Sequence, residues 1–142
     1  MARRFLGKNS DSGYGIVQRF YAIGSDVVPT KDDVATTGTH TNQWINVPYK
    51  AKLWKFGIQA MASDVVLATD DGFELRNMNG TQLATFVADA DYTLGTGAAS
   101  GQEPETATSL KANVPYVPCV ATDGGVSGSV IYFVDVQEDL DI

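Results

Sequence analysis

Hydrolytic or acyl-transfer chemistry needs a nucleophile, a general base and an orienting acid that converge, and the base is most often a histidine. The sequence offers one histidine, His40, and one cysteine, Cys119. His40 lies in the polar run Thr36-Thr37-Gly38-Thr39-His40-Thr41-Asn42, and no Gly-x-Ser-x-Gly elbow occurs anywhere in the chain. A Cys119–His40 dyad is the one pairing the count allows. Cys119, however, sits between Pro118 and Val120 in an apolar stretch, where a cysteine is usually a small, inert packing group. No catalytic residue is therefore expected, and the chain reads as a non-enzyme.

Metal and cofactor chemistry fares no better. A structural zinc needs about four close Cys, His or carboxylate ligands, which one cysteine and one histidine cannot supply. Asp70, Asp71 and Glu74 around Gly72, with Asp89 and Asp91 downstream, put hard oxygen ligands in turns where a calcium ion can sit. They do not follow the spacing of a helix–loop–helix calcium loop, and aspartate in turns needs no metal to explain it. No phosphate-cradling glycine motif precedes a helical pattern. No pair of carboxylates lies in a strand with aromatic company, as glycoside hydrolysis would ask. No metal and no cofactor are expected.

The aromatic residues allow a different role. Trp44, Tyr49, Trp54, Tyr92 and Tyr116 can form a sugar-stacking platform on a β-sandwich, in the manner of a carbohydrate-binding module or a phage fibre domain. Trp54 alternates with Phe56, Ile58 and Ala60 and is expected in the core. Trp44, Tyr49 and Tyr92, near strand ends, remain as the exposed platform, with ordinary packing as the competing explanation.

The elements that must position these residues are strands. Lys52–Met61 alternates, with Trp54, Phe56, Ile58 and Ala60 on one face, and reads as half-buried. Ser129–Val136 is apolar on both faces at first and reads as central. Val65–Ala68, Gly72–Asn77 and Gln82–Ala88 are separated by Asp-Gly and Asn-Gly turns and predict a three-stranded meander. Tyr14–Ile23 and Gln43–Val47 also read as strands. Val114–Val120 carries two prolines and is predicted at an edge. No window shows the apolar spacing of a long amphipathic helix. The prediction is an all-β chain: an antiparallel β-sandwich or a jelly-roll-like small barrel, in one domain over residues 13–142 preceded by an arm over residues 1–12. Gly24 to Asn42 and Gly95 to Ser109 are read as long irregular loops of the contact-making or mobile kind.

At 142 residues the chain can bury a core without disulfides or metals, and 44% hydrophobic against 19% charged residues is a globular composition. A single cysteine gives no internal disulfide. The N-terminal arginines are not followed by the apolar run of a signal peptide, and no stretch of about 18 apolar residues predicts a membrane helix. The net charge is −7, divided as +4 over residues 1–60 and −11 over residues 61–142. An acidic body argues against nucleic acid as a partner, while the basic arm can reach a separate acidic surface. The acidic run Asp135–Ile142 is a solvated end or, through Val136, Leu140 and Ile142, a strand to be added to a neighbour.

The basic arm Met1 to Ser12, the strand pattern from Tyr14 to Val136 and the Gly/Thr/Ala-rich stretch from Gly95 to Ser109 together resemble a capsid decoration, or cement, protein of a tailed bacteriophage. The resemblance is one of overall profile and covers most of the chain. It implies a structural virion protein, made in the host cytoplasm, that binds the outside of the capsid as a homotrimer and stabilises it without chemistry. Its partners would be the major capsid protein and further copies of itself, with no nucleic acid and no membrane. Arg3, Arg4 and Lys8 would pair with capsid carboxylates while Phe5 and Leu6 bury in a groove, the arm ordering as it docks.

Overall fold

The computed structural model describes residues 16–24, 43–70, 72–120 and 130–139. The described residues contain no helix, and 59% of them lie in strands. The strands are β1 (Val17–Tyr21), β2 (Ile23–Gly24), β3 (Gln43–Trp44), β4 (Ala51–Ala60), β5 (Val65–Leu67), β6 (Gly72–Asn77), β7 (Gln82–Val87), β8 (Tyr92–Leu94), β9 (Ala99–Gln102), β10 (Ser109–Leu110), β11 (Tyr116–Val120) and β12 (Val130–Glu138). All pairings are antiparallel. A five-stranded sheet runs β1-β12-β4-β10, with β9 also paired to β4, and a three-stranded sheet runs β11-β6-β7. The sheets do not close into a barrel, so of the two predicted architectures the sandwich is the one formed.

The two larger sheets meet through aromatic rings set by strand alternation. Phe56 of β4 stacks on Tyr132 of β12 at 6.0 Å, and Phe73 of β6 stacks on Phe86 of β7 at 5.8 Å. Across the interface the Phe73 ring meets Tyr132 edge to face at 6.0 Å. Val65, Leu67, Leu75, Val134 and Val136 complete a single contiguous core. Gln102 of β9 joins the sheets by another route: its side-chain amide donates to Val87 O at 2.8 Å and accepts from Val87 N at 3.1 Å, pairing the edge of β7 as a neighbouring backbone would.

β12 lies between β1 and β4, the central place its apolar run predicts, and β11, which carries Pro118, ends the three-stranded sheet, with a single bridge from Tyr116 to Ile45 on its outer side among the described residues. The β6–β7 hairpin closes on the Asn-Gly signal. Gly80 takes φ 87°, and the Asn77 side-chain oxygen accepts from Asn79 N and Thr81 N at 2.9 and 3.0 Å.

Three expectations are corrected. The meander does not include β5, which pairs with β8 instead of β6. Paired clamps hold it there: Thr96, just after β8, donates its N–H to Asp64, just before β5, at 2.8 Å, and Thr69 donates its N–H to Asp91, just before β8, at 2.7 Å. The stretch from Gly95 to Ser109 is no continuous loop, because it contains β9 and the start of β10. Its Gly, Ala and Ser carry little strand propensity, yet small residues are what the site demands: a Cβ on Gly101 would lie 2.8 Å from the carbonyl oxygen of Phe56. Trp54, finally, is outside the core and 47% exposed. Between the pairs Lys55↔Asp135 and Leu53↔Val136, Trp54 is the extra residue of a β-bulge, so the alternation inverts and both Trp54 and Lys55 leave the core side.

Candidate functional site

Cys119 is fully buried in β11, opposite Glu74. Glu74 is itself buried and accepts from Arg76 Nε at 2.6 Å, an ion pair that holds the guanidinium above its ordinary pKa. Burial, reinforced by the Glu74 charge, pushes the Cys119 thiol up from 9.0 to about 11. A nucleophilic cysteine needs the opposite shift. Cys119 is expected to hold about a hundredfold less thiolate at neutral pH than an exposed thiol, the ratio that these two pKa values imply. Alkylation by iodoacetamide at pH 8 should be slower in the folded protein by at least that ratio and recover in guanidinium. Equal rates in both would show that the strand opens readily. His40 lies outside the described residues.

Of the carboxylates read as calcium ligands, Asp91 and Glu74 are engaged in other work. Asp91 accepts from both the backbone N–H and the hydroxyl of Thr69, which holds its pKa below the ordinary value, and Asp64 does the same for Thr96. Glu74 is ion-paired, Asp70 sits in a turn at φ 75°, and Asp71 lies outside the described residues. Among the described residues no three His, Cys, Asp or Glu side chains come together as a metal site.

The outer face of the five-stranded sheet gathers the remaining features. β1 forms its edge and pairs only with β12 among the described residues. Arg19 of β1 lies opposite Asp135 and donates to both carboxylate oxygens, at 2.7 and 2.9 Å, which raises the guanidinium pKa. The same guanidinium covers the Phe133 ring at 3.9 Å, and Tyr21 meets that ring edge to face at 6.3 Å. Phe133 is thereby buried on a face that otherwise looks outward. Along this edge Ile16, Val17 and Tyr21 stay exposed.

On the β10 side of the same sheet the bulge lifts Trp54 into a groove of about 340 Å³. Its floor and walls are Lys52, Leu53, Trp54 and Gln137 from the sheet, with Glu103, Pro104, Ala107, Thr108 and Ser109 from the β9–β10 connection. Thr108 is fixed by its hydroxyl, which donates to the Thr106 carbonyl at 3.0 Å.

No protein-family model and no curated protein matches the chain. The surfaces themselves therefore carry the functional reading.

The predicted sugar platform is not assembled as one row. Tyr49 packs edge to face on Phe20 at 5.9 Å and donates its hydroxyl to Gln18, and burial with the Glu138 charge keeps that phenol above its ordinary pKa. Tyr92 packs on the core and its hydroxyl lies 3.3 Å from Ser100 Oγ. Trp44 lines a small apolar pocket with Met78, Pro115 and Val117. The arm residues Arg3, Arg4, Phe5, Leu6 and Lys8 lie outside the described residues. Two features escaped sequence reasoning, the exposed Trp54 and the apolar edge of β1. The first depends on a bulge that β4 does not announce. The second depends on which strand is last in the sheet, although the apolar outward positions Val17 and Tyr21 were visible.

Proposed function

We propose that the protein is a non-enzymatic structural virion protein that binds the outside of a phage capsid and stabilises it as a trimer. The observation that carries the reading is the edge strand β1. Natural sheets protect their edges with lysine, proline or short strands, because an open row of N–H and C=O groups templates pairing with another chain. β1 has neither Lys nor Pro, its one charge is neutralised by Asp135, and Val17 and Tyr21 are 42% and 44% exposed. An edge of this kind suits a protein that works in contact with other chains. Repeated weak contacts of this sort lock a shell through multivalency.

Light scattering on the purified full chain should give a mass near three times 15.2 kDa. Binding to assembled capsids of the encoding phage should weaken when residues 1–12 are removed, and again in Tyr21→Glu, which puts a charge on the β1 edge. A monomer that also fails to bind those capsids overturns the proposal.

A further inference from the structure

We infer that the groove beside Trp54 is a binding site for a neutral glycan, with a pyranose ring stacked on the indole. This goes beyond capsid binding and does not depend on it. A bulge that turns a tryptophan out of a core strand is a device for aiming a side chain, and such bulges gather next to binding sites. Here the indole is turned to the wall of a groove of about 340 Å³, at the small end of the range of roughly 300–1,000 Å³ usual for ligand sites.

The chemistry around the ring selects the ligand. Lys52 offers donors, Glu103 acceptors, and the Gln137 amide both. Among the described residues these three side chains make no hydrogen bond or ion pair with another residue. An apolar peptide would strip water from all three and give nothing back. An anion would meet Glu103 and a cation Lys52, whose opposite charges leave the groove near neutral. A neutral sugar fits both halves: its C–H face lies on the indole and its rim hydroxyls donate to Glu103 and accept from Lys52 and Gln137.

The test uses the full chain against an array of neutral oligosaccharides, then cellohexaose, chitohexaose and maltohexaose in solution with tryptophan fluorescence as readout. At least one neutral glycan should bind and change the Trp54 emission, a change retained in Trp44→Phe. Trp54→Ala should weaken that binding about tenfold or more, as removal of an aromatic anchor does, and Gln137→Ala should weaken it by a smaller factor. Trp54 is exposed and Gln137 only half-buried, so circular dichroism and the thermal midpoint should stay near the parent values and separate lost binding from lost fold. Failure of every neutral glycan to bind, binding confined to acidic glycans, or binding that survives Trp54→Ala overturns the inference.

Discussion

Phe73→Ala is expected to destabilise the fold by about 4 kcal/mol, within the range of roughly 3–5 kcal/mol for Phe→Ala in a well-packed core. Phe73 has no exposed surface, stacks on Phe86 within its own sheet, and is the ring that meets Tyr132 of the opposite sheet. Truncation empties the space where the two sheets touch. Neither neighbour can follow, because the Phe73↔Phe86 register and the place of Tyr132 between Val130 and Val134 in β12 are fixed by strand pairing. Against a total stability of about 5–15 kcal/mol this is a large fraction. The thermal midpoint should fall by roughly 12 °C, at about 3 °C per kcal/mol for a chain of this size. Phe73→Leu keeps most of the volume and should cost no more than about 1.5 kcal/mol. Denaturant melts of both variants check this, and a loss below about 1 kcal/mol for the alanine variant would mean that the sheets do not share a core through this ring.

How much of this was legible beforehand follows from what each residue depends on. The positions of Phe56, Ile58 and Ala60 depend only on period-two alternation, and that reading holds. The β6–β7 hairpin depends on Asn77 and Gly80, whose turn chemistry is local. Trp54 defeats the same alternation rule because one extra residue in β4 is forced by pairing with a distant strand, β12. β9 was hidden for a related reason. Gly101 and its small neighbours look like a loop until the approach of β4 is known, and only then do they read as a strand selected for closeness. The partner of β5 is not legible locally, because the Asp64–Thr96 and Asp91–Thr69 clamps link segments far apart in sequence. The candidate site inherits these limits. Alternation alone puts its aromatic, Trp54, on the wrong face, while Glu103 and Gln137 belong to no motif.

Gly57→Ala is expected to cost about 3 kcal/mol, the upper part of the range for overpacking. In most strands the opposite sign holds, since replacing glycine by alanine at a compatible backbone position stabilises by about 0.4–1 kcal/mol through the unfolded chain. At Gly57 space decides. A Cβ there would stand 2.1 Å from the carbonyl oxygen of Ser100, 2.7 Å from the Cα of Gly101 and 2.8 Å from Cζ of Phe133. Two of these are backbone atoms of β9, so no change of rotamer relieves the clash and β9 must move away from β4. Gly95→Ala is the matched control, because nothing lies within 4 Å of its added methyl group, and it should leave the midpoint unchanged or slightly raised. Gly101→Ala meets the Phe56 carbonyl oxygen at 2.8 Å and should fall between the two. A denaturant series on the three variants checks the order, and equal midpoints for Gly57→Ala and Gly95→Ala would sink it. The same displacement reaches function. β9 leads directly into Glu103 and Pro104, so loosening it from β4 unseats one wall of the groove while Trp54 stays in place on the other, and Gly57→Ala should lose glycan binding that Gly95→Ala keeps.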